Sequence, residues 1–317
     1  MNFEFKKLDY KNLLNKHSVE IASNEPSERE FVYAKVSFNQ LREIDYSIVM
    51  PVFNQEDLIK KHIESILKYT KDNYELILIL DFCVDNTEKE ILNFFSNYGN
   101  SYNNLESVTI VKHCKFPIFE TSCDNVGFML AKGKFLLEIQ SDMEMTESGY
   151  NLQLKRPFDH FDNCIGVSGR CAANFSKSCL TGCKCYDTLT KVSDTGVSRD
   201  IFYQHDTCCR GPLLLDREKS ASLSFLNEKH FHLDDSDHHF FARASAKNYI
   251  CGYMAIDFYC NLSMGSSRKR SKLPRDSYLI NEEYLHLRQQ NYNVNFYDGT
   301  NFIQIPNIIE HELIKNN

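Results

Sequence analysis

The stretch Tyr46–Thr70, YSIVMPVFNQEDLIKKHIESILKYT, contains two periodicities in succession. Its first residues form a short, almost continuously apolar run that ends around Pro51 and Asn54, as expected of a strand buried on both faces. From Leu58 the apolar positions become Leu58, Ile59, His62, Ile63, Ile66 and Leu67, which line one stripe of a helix. The unit then recurs. YELILIL (74–80) is a second apolar strand that stops at Asp81, and in the following DNTEKEILNFF, Thr87 and Glu90 have the spacing of a capping box. LESVTIV (105–111) is a third strand. CDNVGFMLAKG (123–133) reads as a helix stopped at Gly133, and KFLLEI (134–139) as a fourth strand. Strands alternating with helices predict an α/β fold: a mainly parallel sheet flanked by helices, with right-handed crossovers.

Outside this core the texture changes. YKNLLNKH and EREFVYAKVSFNQL, separated by SNEPSE, predict a helical N-terminal extension over residues 1–44. One α/β domain is expected over 45–260, in two halves, 45–149 and 150–260. The second half includes a long irregular insertion, RCAANFSKSCLTGCKCYDTLTKVSDTGVSRD. Residues 261–317 read as a basic flexible loop, MGSSRKRSKLP, then a C-terminal helix, RDSYLINEEYLHLRQQ, and a polar tail.

Composition narrows the function. The 317 residues carry a formal charge of −7, which argues against a nucleic-acid partner bound by bulk electrostatics. No run approaches ~18 apolar residues, and the N-terminus lacks a secretory h-region, so a cytoplasmic protein with no transmembrane segment is expected. The 12 cysteines then read as reduced thiols. Cys179, Cys183 and Cys185, with Cys208 and Cys209, suggest a zinc site in the Cys171–Cys209 region, but the spacing is not a paired C-x-x-C set and free thiols remain open.

The fourth strand raises the sharpest chemical question. GKFLLEIQSDMEMTE (133–147) releases Asp142, Glu144 and Glu147 almost together, where they repel one another. A hard divalent cation with phosphate oxygens relieves such repulsion. Asp142 and Glu144 are two apart and point the same way on an extended chain. Ligands of open α/β sheets bind at the carboxyl ends of the strands, where Phe53, Asp81 and Asp142 all fall.

In order, SIVMPVFNQEDLIKKHIESIL, ELILILDFCVDNT and NVGFMLAKGKFLLEIQSDME closely resemble the successive motifs of family 2 glycosyltransferases of the GT-A fold, and the likeness runs from about Ser47 to Arg243. The resemblance implies a nucleotide-binding half, 45–149, and an acceptor half, 150–260. Pro51, Phe53 and Asp81 would hold the donor's nucleobase, with Phe53 flanking it and Asp81 hydrogen-bonded to it. Asp142 would hold Mn2+ or Mg2+ on the diphosphate. Glu144 is either a second, water-mediated ligand or a solvated neighbour. Gln140 and Ser141 depart from the family, which usually places a further acid there.

Downstream, FYQHDTCCRGPLLLDREK and FHLDDSDHHFFARA resemble a subgroup in which an Arg-Gly-Pro segment precedes an acid-rich helix start that supplies the catalytic base. Arg210 joins the donor residues on this basis. Asp237 matches the base position, Asp235 an acid two residues earlier, and His239 stands where another acid is usual. Helix capping is the plainer reading of these aspartates. In SSRKRSK, Arg268 and Arg270 are either a solvated linker or a lid that reaches the diphosphate.

The resulting expectation is a metal-dependent inverting glycosyltransferase, hexosyl- or N-acetylhexosaminyl-, moving a sugar from a nucleotide-sugar, expected to be a UDP-sugar, to a hydroxyl of a glycan or glycosylated acceptor. The alternatives are a glycan-binding or scaffolding protein that kept the fold without activity, and a sugar-1-phosphate nucleotidyltransferase. The nucleotidyltransferase is disfavoured because PVFNQED has no glycine to cradle phosphates.

Overall fold

The computed structural model describes residues 3–21, 28–38, 43–170, 198–205, 207–229, 231, 236–260 and 309–313. The chain opens with β1 (Lys6–Lys7), α1 (Tyr10–His17) and β2 (Phe31–Ser37). The expected alternation follows as β3 (Tyr46–Val52), α2 (Ile59–Tyr69), β4 (Tyr74–Asp81), α3 (Thr87–Tyr98), β5 (Leu105–His113), α4 (Phe119–Leu130) and β6 (Phe135–Glu138). Next come β7 (Met143–Met145), α5 (Tyr150–His160), β8 (Cys164–Ser168), β9 (Ile201–His205), β10 (Leu213–Asp216), α6 (Arg217–Ser222) and α7 (Ser236–Ser245). β11 (Ile250–Tyr253), β12 (Phe258–Cys260) and β13 (Ile309–Glu312) complete the described elements.

The main sheet has the order β1-β2-β5-β4-β3-β6-β10-β8-β11-β9-β13. Its centre, β5-β4-β3-β6, is parallel. β10 runs antiparallel between β6 and β8, and β11 returns parallel to β8. The period-2 pleat sorts the core into two layers. Leu76, Leu78 and Leu80 of β4 face Ile63 and Ile66 of α2 and Phe94 and Phe95 of α3. Ile77 and Ile79 face the other way, onto Val126 and Met129 of α4. Every residue of β4 is buried, which is why its sequence reads as an unbroken apolar run.

Two parts of the sequence reading need correction. EREFVYAKVSFNQL, expected to be helical, contains β2, which pairs antiparallel with β5 from Phe31↔His113 to Ser37↔Ser107. The N–H and C=O groups along the edge of β5 need a partner, and the aromatic and β-branched residues of FVYAKVS suit a strand. The polar tail contains β13, antiparallel to β9, with His311 edge-on to the Phe161 ring. The expected C-terminal helix, the basic loop and most of the irregular insertion lie outside the described residues.

The N-terminal extension is held by buried charge. Arg29 donates to the Tyr10 hydroxyl at 3.0 Å and to Glu228 at 2.5 Å, and Glu228 also accepts from Asn125 of α4 at 3.0 Å.

Helix α4 lies close to β3 because of Gly127, where a Cβ would come within 2.2 Å of Val49 Cγ1. Val49 is wholly buried and β-branched, so it has little room to yield. Gly127→Ala gains about 1 kcal/mol of helix propensity but overpacks this contact at a cost of about 1–3 kcal/mol. The expected outcome is net destabilisation, seen as a lower urea midpoint with an unchanged m-value.

Candidate functional site

The parallel strands deliver their carboxyl ends to one edge of the sheet, with Val52 opposite Leu80 and Val49 opposite Glu138. β6 stops at that pair, while β3 runs on through Pro51 to Val52. Val49 turns its carbonyl toward the β6 side, where it accepts from Ile139, so Pro51, two residues on, faces the same side beyond the end of the ladder. Its missing N–H therefore costs no sheet hydrogen bond. Phe53 follows, half-buried.

The loops after β3 and β4 are stitched to each other. Asp85 accepts from the Glu56 and Thr87 amides at 3.2 and 3.0 Å, and Glu56 accepts from the Asn86 amide at 2.8 Å. Thr87 does not form the expected capping box. Its hydroxyl accepts from the Gln55 amide at 2.7 Å, which ties the start of α3 to the loop beside Phe53. Asp81, buried at the end of β4, accepts from the Ile118 and Phe119 amides at 2.7 and 3.1 Å. It thus caps α4 from a neighbouring strand, using amides that a helix start leaves without partners.

Asp142 sits half-buried in the loop from β6 to β7, beside Gln140 and Ser141. Glu144 lies within β7, opposite Tyr259, and forms an ion pair with Lys61 at 2.7 Å. That pairing favours the solvated neighbour over the ligand.

Beneath this edge lies a buried charge cluster that the sequence reading missed. Arg210, 6% exposed, donates to Asp124 at 2.9 Å, Thr121 at 3.2 Å and Ser236 at 2.8 Å, and lies 3.8 Å from Glu120. Glu138 is fully buried and accepts from the Gly211 amide at 2.5 Å. Gln140 donates to Glu120. Burial pushes the Asp124 carboxyl up to about 8, with Glu120 and Asp237 adding to the rise and Arg210 opposing it. Glu138 rises well above the carboxylate range through burial, then through Asp124 and Glu120. Among the described residues, Glu120, Asp124 and Glu138 bring ligand atoms within 4.8 Å of one another. The Arg210 guanidinium already supplies positive charge there. A carboxylate inside CDNVG and another inside FLLEI, both otherwise apolar stretches, were the available signals.

Arg210, expected at the donor, is instead turned into this cluster. Asp237, 8% exposed in the first turn of α7, accepts from the Arg210 amide at 3.1 Å and the His238 amide at 2.9 Å. Burial disfavours its charge, but His238 and Arg210 outweigh that and hold its carboxyl below the usual range. His239 stacks on Phe231 with ring centroids 4.9 Å apart. Cys208 is buried and donates to the Gly252 carbonyl at 3.1 Å, and burial pushes its thiol well above the usual range. Asp235, Arg268, Arg270, Cys179, Cys183 and Cys185 lie outside the described residues.

The order of the central strands, with β10 antiparallel beside β6 and the helices on both faces, is that of the GT-A glycosyltransferase fold. Residues 47–168 match the family model Glycosyl transferase family 2. A curated relative, a poly(ribitol-phosphate) beta-glucosyltransferase of Bacillus spizizenii, is 31% identical over 98 residues, which cover 30% of this chain and 14% of that protein. Among solved structures, S. aureus TarS 1-349 in complex with UDP-GlcNAc is 15% identical with a TM-score of 0.51, over 78% of this chain and 66% of that one. GalNAc-T7 with UDP, GalNAc and Mn2+ is 14% identical with a TM-score of 0.53, over 69% of this chain and 44% of that one. The chain thus spans only a small part of the curated relative.

The cluster predicts a pH dependence. The folded state holds the Asp124 proton up to about pH 8, whereas the unfolded chain releases it near 3.8. This contribution to stability is complete below the unfolded value and is lost as pH rises through the folded one. The thermal midpoint of the wild type relative to Asp124→Asn should fall from about pH 5 to about pH 9, a comparison in which the opposing contributions of His17, His62 and His113, lowered by burial, cancel.

Proposed function

We propose that the chain is a metal-dependent, inverting glycosyltransferase that moves a hexosyl or N-acetylhexosaminyl group from a UDP-sugar to a hydroxyl of a glycan or glycosylated acceptor. The observation that carries this reading is the convergence of Phe53, Asp81 and the Gln140–Asp142 loop at one sheet edge, within the segment that matches the family model. The same edge position holds the donor in the resemblance noted from sequence.

Each residue has a physical task in this reading. Phe53 offers an aromatic face to the base. Asp81, oriented by the α4 amides it accepts on each oxygen, would accept the base N–H. Asp142 would hold Mn2+ or Mg2+, and an oxygen ligand beside diphosphate oxygens fits such hard cations. When bound, the ion would neutralise the charge that develops on the departing diphosphate. The acceptor proton needs a carboxylate at the start of α7. Asp237 is the base in this reading: each of its oxygens accepts one backbone amide, which orients the carboxylate and leaves acceptor sites for the acceptor's proton, while Asp235 and His239 stay the neighbouring candidates. The Arg268–Arg270 lid remains part of the proposal, with Arg210 reassigned to the buried cluster. Gln140 in place of an acid favours a second reading, a GT-A protein that binds glycans without turnover.

Release of UDP from a UDP-sugar with Mn2+ and a supplied acceptor separates the two readings. Binding without release would favour the second. Asp142→Ala is expected to abolish Mn2+-dependent UDP binding in isothermal titration, and unchanged affinity would remove Asp142 from the site. Asp237→Asn is expected to lower turnover by at least about 100-fold with UDP-sugar affinity retained, while Asp235→Asn is milder. The reverse order would move the base to Asp235.

A further inference from the structure

Helix α2 contributes to the sheet edge in a way its apolar stripe conceals. His62 sits in that stripe between Ile59 and Ile66 and is 3% exposed, so from sequence it counts as one more core position. Its Nδ1 lies 2.6 Å from the carbonyl oxygen of Ser141, the residue before Asp142. A carbonyl oxygen only accepts, so Nδ1 must carry the proton of this bond. Burial lowers the His62 pKa, which keeps the ring neutral and leaves that one N–H as its donor. Two further contacts flank it: Ser65 Oγ accepts from the Met145 amide at 3.0 Å, and Lys61 pairs with Glu144 at 2.7 Å. Three residues within about one turn of α2 thus grip the segment 141–145.

The geometry explains why the middle grip matters. Gln140–Asp142 passes from β6 in the main sheet to β7 in the small one, and no ladder pairing holds Asp142 itself. The peptide group is planar, so the Ser141 carbonyl and the Asp142 nitrogen share one rigid plane. Holding the oxygen restrains that plane, and with it the position of the Asp142 Cα from which the side chain leaves the backbone. We propose that His62 is a positioning residue of the donor site, whose Nδ1–H holds the Ser141–Asp142 peptide in the orientation that points Asp142 at the metal–diphosphate. The inference rests on the role of Asp142 proposed above.

The test is titration of UDP with Mn2+ into the wild type, Asp142→Ala, His62→Leu and His62→Asn, with ligand-free thermal midpoints measured in parallel. Partners that orient metal ligands typically contribute about 10- to 100-fold in metal affinity, so His62→Leu should weaken Mn2+-dependent binding by about that factor. Asn can place an amide N–H near the lost Nδ1–H, so His62→Asn should recover most of the affinity even where its midpoint stays below the wild type. A purely structural histidine would show affinity tracking the midpoint. His62→Leu binding like the wild type, or His62→Asn binding as weakly as His62→Leu, overturns the inference. If Asp142→Ala also binds like the wild type, the Asp142 reading fails instead. Should His62→Leu not fold, nitrogen NMR of the wild type decides: a protected Nδ1–H on His62 supports the inference, and the Nε2–H tautomer overturns it.

Discussion

Arg210 carries a charge that no accessible pH removes, in a place where burial works against it. Asp124, Glu120, Asp237 and Glu138 compensate, and the guanidinium fork also reaches the hydroxyls of Thr121 and Ser236. These partners come from α4, β6 and the first turn of α7, so one side chain joins the element capped by Asp81 to the strand that leads to Asp142 and to the helix start rich in acids. Taking one member away would strand the others: breaking a buried pair typically costs about 3–5 kcal/mol because the remaining charge has no solvent. Four carboxylates around one guanidinium also exceed what it can neutralise. The raised Asp124 and Glu138 values express that excess, and protons make up the difference.

The sheet edge above the cluster is rigid for reasons of the same kind. Its loops are short and satisfy their backbone groups through each other, as with Asp85 on Glu56 and Thr87, and Thr87 on Gln55. A site assembled on strand ends needs this, because each strand fixes only where its loop begins. Asp81 acts on the edge and the cluster together: by capping α4 it sets the helix whose next turns present Glu120 and Asp124 to Arg210.

The alternation from Tyr46 to Glu138 was legible because those strands are buried almost throughout and α2 shows a clean stripe. β2 was not, since its burial does not alternate: Phe31 and Ala34, three apart, are the buried positions, so FVYAKVS can be taken for half a helix. β13 is four residues in a polar tail, and only its pairing with β9 identifies it. Phe53, Asp81 and Asp142 stood out in the sequence because open α/β sheets bind ligands at strand ends, and the structure places all three at that edge. Arg210 was noticed without its partners: an arginine near phosphate chemistry suggests an anion, and nothing local reveals that Asp124 lies beside it, 86 residues away in the chain. Glu138 was hidden by the apolar run around it, and His62 by helical spacing that suits a core residue equally well.

The departure at Gln140 follows from the cluster. Its amide donates to Glu120, a carboxylate already competing with Asp124 and Glu138 for one guanidinium. An acid at 140 would present an oxygen to that oxygen and add a further negative charge at the margin of a low-dielectric site, where repulsion is strong. The amide reverses the sign of the contact at nearly the same size. An acid usual at this position is therefore incompatible with the carboxylates that this chain buries beneath it. The carboxyl groups lie one layer deeper, on Glu120, Asp124 and Glu138, where protons on Asp124 and Glu138 relieve the excess charge, while Asp142 remains half-buried at the sheet edge.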